Sequence, residues 1–96
     1  MSRVVWKFVM DAPWSSFDVR APKVVHVGID PASANLAVWM EVTPTPEMDL
    51  LNVRSGEVKF QAINTGGDVP SGWFHQGSVI SSNGIVWHIY ADRDLT

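Results

Sequence analysis

Apolar residues along this chain recur at every second position over short runs, and the three-and-four spacing of a helix is not sustained over any window of about eleven residues. The runs are rich in β-branched and aromatic residues and are bounded by Gly, Pro, Asn, Asp and Ser, which is the punctuation of strands and turns. The pattern predicts strands over Arg3 to Met10, Lys23 to Ile29, Asn35 to Thr43, Glu57 to Asn64, Phe74 to Ser81 and Ile85 to Tyr90. Ser82-Asn83-Gly84 between the last two predicts a tight hairpin with a primed turn. Asp30-Pro31-Ala32-Ser33-Ala34-Asn35 predicts antiparallel pairing of the runs on either side of it. Ala12 to Pro22 reads as a connection, or a wandering edge segment, that carries Trp14 and Phe17 back onto the core. The prolines of Thr43-Pro44-Thr45-Pro46 predict a loop, with room for one helical turn from Glu47 to Val53.

Alternation sorts these strands into faces. Val4, Trp6, Phe8 and Met10 share one side of their strand, and Leu36, Val38, Met40 and Val42 share one side of theirs. In the last strand Ile85, Trp87 and Ile89 oppose Val86, His88 and Tyr90. Several strands are apolar on both sides, so the expected fold is all-β: an antiparallel β-sandwich, or a partly open barrel, of about six strands in one domain.

Composition narrows the chemistry. The chain has 96 residues, 46% of them hydrophobic and 18% charged, which is enough apolar surface to offset the entropy of ordering one compact core. It has no cysteine, which removes disulfides, thiolate nucleophiles and sulfur-ligated zinc. The net charge is −3 and the seven Lys and Arg residues are scattered, so duplex nucleic acid is not an expected partner. The opening residues lack a secretory apolar segment and no run reaches membrane-spanning length; no membrane partner is expected, and the protein should stay where it is made.

Motifs for phosphate loops, nucleophile elbows and paired metal-binding histidines do not occur, and no cofactor, metal ion or catalytic residue is assigned. His26, His75 and His88 each sit in an apolar run and are expected to pack as neutral rings donating to main-chain carbonyls. Of the five tryptophans, Trp6 and Trp87 alternate with core positions and are expected to be buried. Trp14 and Trp73 lie in or beside loops, where an indole serves as a core lid or as a contact surface. The turn Asn64-Thr65-Gly66-Gly67-Asp68 offers main-chain donors around two glycines, a weak anion-binding pattern to which Thr65 adds a hydroxyl.

The segments Val5-Trp6-Lys7-Phe8, Val25-His26-Val27-Gly28, Leu36-Ala37-Val38-Trp39, Asn64-Thr65-Gly66, Val69-Pro70, Gly77-Ser78-Val79 and Val86-Trp87-His88-Ile89-Tyr90 follow one another along nearly the whole chain. In this order they resemble a family of small, uncharacterised proteins of tailed bacteriophages, notably those infecting actinobacteria. The loop from Thr43 to Val53 departs from that pattern in being longer and richer in proline. The resemblance carries no activity and no site residues. It implies an accessory protein in the host cytoplasm, acting by binding a host protein or a small ligand.

Abundant tryptophan without assembled catalytic groups points the same way, and the expected contact residues are Trp14, Thr65, Asp68, Trp73 and His75. Two rival readings make different demands. A small histidine-dependent hydrolase of a phosphorylated or nucleotide substrate requires at least two of the imidazoles to converge on one cavity. A self-assembling protein requires an uncovered edge such as Arg3 to Met10, through which a homodimer would extend the sheet.

Overall fold

The computed structural model describes residues 3–43 and 56–95; the predicted loop after Thr43, with its helical turn, lies outside them. The described residues form seven strands: β1 (Val4–Val9), β2 (Trp14–Val19), β3 (Lys23–Ile29), β4 (Leu36–Val42), β5 (Gly56–Asn64), β6 (Phe74–Ile80) and β7 (Val86–Ala91). Every pairing is antiparallel. One sheet has the order β1-β4-β3 and the other β2-β5-β7-β6, and the two pack as a small sandwich. Among the described residues no helix is long and apolar enough to cross a membrane.

The core follows the alternation. Val38, Met40 and Val42 of β4 and Val58 and Phe60 of β5 are completely or almost completely buried, with Ile89 and Ala91 of β7 beside them. Phe8, Phe17 and Phe60 stack through the layers, with centroids 5.2 Å and 6.0 Å apart. Trp87 packs against this cluster as expected. Trp6 does not. It shares the inward row with Met40 on an edge strand and is 50% exposed, although Val4 and Phe8 on either side of it in that row pack against the core.

A strand not among those predicted is β2. Only Phe17 and Val19 carry its inward apolar signal, because Ser15 takes the third inward position and the solvent side holds Trp14, Ser16 and Asp18. The segment is therefore an edge strand in register with β5, the edge alternative of the two readings of this stretch.

Turn geometry also differs in detail. The β6–β7 hairpin closes with Gly84 N–H on Ser81 O at 2.9 Å, and the positive φ falls on Gly84 (84°), while Asn83 keeps a negative φ. This is the turn-plus-glycine-bulge closure, in place of a primed turn. In the β3–β4 turn, Ala34 N–H bonds Asp30 O at 2.7 Å and Ala34 itself takes φ 61°.

That second turn is held by a buried carboxylate. Asp30 is 3% exposed. Lys7 Nζ bonds Oδ1 at 2.7 Å, Ser33 Oγ bonds Oδ2 at 2.7 Å, and Ala32 N–H reaches Oδ1 at 3.4 Å. A charge out of water is tolerable when it is paired and fully hydrogen-bonded, and this one is. The Lys7 bond first, then that of Ser33, lowers the Asp30 carboxyl from 3.8 to about 2.

Irregularity is confined to two strands. The register of β3 shifts between Val24 and His26, and that of β6 between His75 and Gly77. These strands lie along the same side of the sandwich. A side chain at Gly77 would meet Val27 Cγ2 at 2.5 Å, so glycine is what lets β3 come this close. The same edge is finished by Leu95, whose carbonyl accepts the Val24 N–H at 2.9 Å.

Two outcomes are expected from this packing. Gly77→Ala should destabilise the domain by about 1–3 kcal/mol through overpacking on Val27. In urea unfolding, part of that loss should return in the double variant with Val27→Ala, because the two changes meet at one contact. For Asp30 the folded carboxyl lies below its ordinary value, so its stabilisation is present above 3.8 and disappears as pH falls through that value toward about 2. Urea midpoints measured down that range should fall for the parent protein and be flatter, from a lower starting point, for Asp30→Asn.

Candidate functional site

Register places a band of aromatic and hydrogen-bonding side chains on the solvent face of the four-stranded sheet. Trp14 on β2 lies opposite Gln61 on β5, Gln61 opposite Tyr90 on β7, and Tyr90 opposite His75 on β6. The neighbouring row runs Ile63, His88, Ser78. Trp14 is 70% exposed at the open end of the band.

His75 and Ser78 are three residues apart, and a regular strand would put them on opposite faces. The β6 bulge inserts Gln76 as an extra residue, after which the alternation resumes shifted by one, so both side chains reach the solvent face. The Gln76 amide nitrogen bonds Phe74 O at 3.1 Å, while Gln76 Oε1 is buried without a partner.

Around Ser78 the polar groups form a chain. Ser78 Oγ lies 2.8 Å from His88 Nδ1 and 3.2 Å from His75 Nε2, and Thr65 Oγ1 lies 3.2 Å from His88 Nε2. The His75 ring meets Tyr90 edge-on at 5.2 Å and stands 6.1 Å from His88. Proton counting constrains this chain. Ser78 has one hydroxyl proton, so it donates to one imidazole and accepts from the other. With both rings neutral, the whole chain points one way. Either both rings carry the proton on Nδ1 and Thr65 donates into the chain, or both carry it on Nε2 and Thr65 accepts.

The imidazoles thus bond side-chain hydroxyls, not the main-chain carbonyls expected of them. His26 is elsewhere, on the solvent face of the three-stranded sheet, tilted against Trp39 at 5.1 Å. Two of the three imidazoles therefore converge, but on an open sheet face. A cavity of about 250 Å³ opens at one end between the sheets, away from both imidazoles, and is lined by Met10, Pro13, Ile29, Leu36 and Trp87 among others. Among the described residues, no three His, Asp or Glu side chains gather with metal-ligand geometry.

Of the five expected contact residues, Trp14, Thr65 and His75 fall on the band. Asp68 is exposed in the following loop, and no contact among the described residues ties it to the imidazole chain. Trp73 is half-buried in the turn closed by its own N–H on Pro70 O, ahead of β6. The glycine pair is not an open anion cradle either. Gly67 N–H is spent on Asn64 O at 2.9 Å, and a Cβ at Gly67 would strike Ile63 Cγ2 at 2.7 Å, so the turn folds down as a cover for Ile63. Ser78, His88, Tyr90 and Gln61 were not singled out from the sequence as contacts. The available signal was Gly77, since a glycine inside a strand marks a bulge and shifts the faces beyond it.

A family model described as a domain of unknown function, DUF7352, matches residues 1–95. The chain belongs to this family. Comparison of this DUF7352 domain with curated proteins and with solved structures finds no significant match in either. The family description supplies no activity, so the reading of the DUF7352 face rests on its geometry.

Coupling through Ser78 has a spectroscopic signature. In the parent protein at alkaline pH, ring ¹⁵N shifts should report the same predominant tautomer at His75 and His88. In Ser78→Ala the two rings should become independent, and the His75→Ala variant should alter the tautomer balance at His88.

Proposed function

We propose that this domain is a recognition module that binds a protein partner through the solvent face of the four-stranded sheet. The observation that carries the reading is the convergence of Trp14, Tyr90, His75, His88, Ser78 and Thr65 on one solvent-facing band. None of these residues lines the cavity between the sheets, whereas a small ligand is held in a concave pocket that removes most of its surface from water. A macromolecular surface needs no such pocket.

The side chains suit that role. Interface cores are enriched in tryptophan and tyrosine and depleted in charge, and the row from Trp14 to His75 contains no Asp, Glu, Lys or Arg. Charges begin one register step away along β2 and β5, at Lys59, Glu57 and Asp18, where they form a polar rim. The imidazole chain adds donors and acceptors already held in place by one another, which lowers the entropy lost on binding. In the phage setting implied by the sequence resemblance, the partner is a host protein and the domain acts in the host cytoplasm.

One observation favours hydrolysis as a second reading: Ser78 Oγ is placed between two imidazoles, with His88 further held by Thr65. Activation of a hydroxyl by a base and an orienting third group is nucleophile chemistry. Thr65 is a neutral orienter, however, and the exposed face gives little exclusion of water from a reacting bond.

The two readings part on substitution. Trp14→Ala removes an exposed indole and should leave the fold intact, while weakening capture of a stoichiometric partner from lysate by about 30-fold or more, the scale of an interface anchor. Trp39→Ala on the opposite face should leave capture unchanged. Equal retention by both variants would remove the recognition face from consideration, and turnover of a phosphoester panel lost in Ser78→Ala would favour the hydrolase.

A further inference from the structure

The four sheet edges are not treated alike. β3 and β6 are bulged, lie against each other and are closed at Val24 by the Leu95 carbonyl. β2 alternates its indole with Ser15, Ser16 and Asp18, residues that solvate an edge. β1 has neither protection. It is Val-Val-Trp-Lys-Phe-Val in unbroken register with β4, without bulge or proline, and Val5 and Trp6 on its two faces are 54% and 50% exposed. A lysine on an edge strand ordinarily discourages pairing. Here Lys7 is drawn across the sheet into an ion pair with Asp30, so it guards the edge less, although its charge still disfavours a like charge set directly opposite.

The main-chain groups of β1 that face outward can be identified. Met10 N–H donates to Leu36 O at 2.8 Å, one step beyond the Val9–Ala37 pair, so residues of Met10's parity turn toward β4. Val4, Trp6 and Phe8 therefore bond inward. Val5, Lys7 and Val9 present their N–H and C=O groups at the outer edge, which no strand among the described residues covers.

We infer that β1 pairs antiparallel with β1 of a second copy, joining two three-stranded sheets into one of six strands. Two-fold symmetry and the parity of the edge groups leave few registers, since outward residues must pair with outward residues. Centring on Lys7 sets Lys7 against itself, and centring on Val5 sets Lys7 against Arg3 of the other copy; both oppose like charges. Centring on Phe8 or Val9 avoids this but runs the pairing past the end of the strand at Val9. Centring on Trp6 avoids it and keeps Val4 to Phe8 paired within the strand. Val5 then faces Lys7 of the second copy in hydrogen-bonded pairs, Val4 faces Phe8, and Trp6 faces Trp6 in a non-hydrogen-bonded pair, where side chains approach most closely. The half-exposed indole that the monomer leaves uncovered is buried by its own counterpart. This pairing uses the opposite sheet from the recognition face and does not rest on it.

The chain has no cysteine, which makes the register directly testable. A non-hydrogen-bonded pair brings Cα atoms to about 4.5 Å, inside the span a disulfide accepts. Under mild oxidation Trp6→Cys should give a reduction-sensitive covalent dimer, while Val5→Cys and Lys7→Cys, which face each other's positions and not their own, should not. No crosslink in a folded Trp6→Cys protein, or equal crosslinking of all three, overturns the register. Independently, sedimentation of the parent protein should show a concentration-dependent dimer, and Val5→Pro should abolish it with the far-ultraviolet spectrum unchanged, since the Val5 N–H takes no part in the β4 ladder. A parent protein that stays monomeric to high micromolar concentration overturns the pairing itself.

Discussion

The buried carboxylate of Asp30 is the constraint around which the three-stranded sheet is organised. It sits where β3 turns into β4, and its oxygens are claimed by Ser33 and Ala32 of the turn and by Lys7 of β1. A charge placed there is costly unless every one of these partners is in position, so the turn, the β3–β4 register and the docking of β1 are made to agree. The two main-chain bonds that flank it, Asp30 N–H to Asn35 O and Ala34 N–H to Asp30 O, continue the ladder into the turn. The alanine at φ 61° is the local strain that this arrangement imposes. Drawing Lys7 inward also makes the one charged side chain of β1 a weaker guard of its edge, so the interaction that secures the sheet also favours pairing there.

Most of the fold was legible in the sequence because alternation is a strong signal where one face is dry. β4 and β7 read correctly from Leu36, Val38, Met40, Val42 and from Trp87 and Ile89, and the two hairpins were marked by their turn residues. β2 was not, because an edge strand with one phenylalanine and one valine facing inward carries too little apolar signal to stand out from a loop. Trp6 was misplaced for a related reason. Alternation gives the face a residue occupies but not how much of it the facing sheet covers. On an edge strand this differs from residue to residue: Val4 and Phe8 pack against the core while Trp6 between them stays half-exposed.

The candidate site was legible in its members more than in its geometry. Trp14, Thr65 and His75 were chosen for their chemistry, and the register brings them onto one band. Ser78, which links both imidazoles, could not be placed by counting, since an extra residue at Gln76 reverses the expected face of everything after it in β6. The same device in β3 lets Val24 and Val27, also three apart, both point inward, where Val27 fits against Gly77. Two bulges thus do opposite work: one turns polar groups out, the other turns a valine in. A β1-paired dimer would carry two copies of the band, a basis for bivalent attachment.

Strand order has a consequence for how the domain is assembled in time. Of the paired strands only β3–β4 and β6–β7 follow each other directly in the chain, and β1 and β2 must find β4 and β5 across intervening strands. Loop-closure entropy favours the local pairs first, so the two hairpins form the early nuclei and β1 and β2 are the last strands secured. Until then β4 offers a bare apolar edge to any β1 in solution, its own or another molecule's. Refolding at high concentration would therefore pass through exchange of β1 between chains, a kinetic branch toward swapped species set by topology alone.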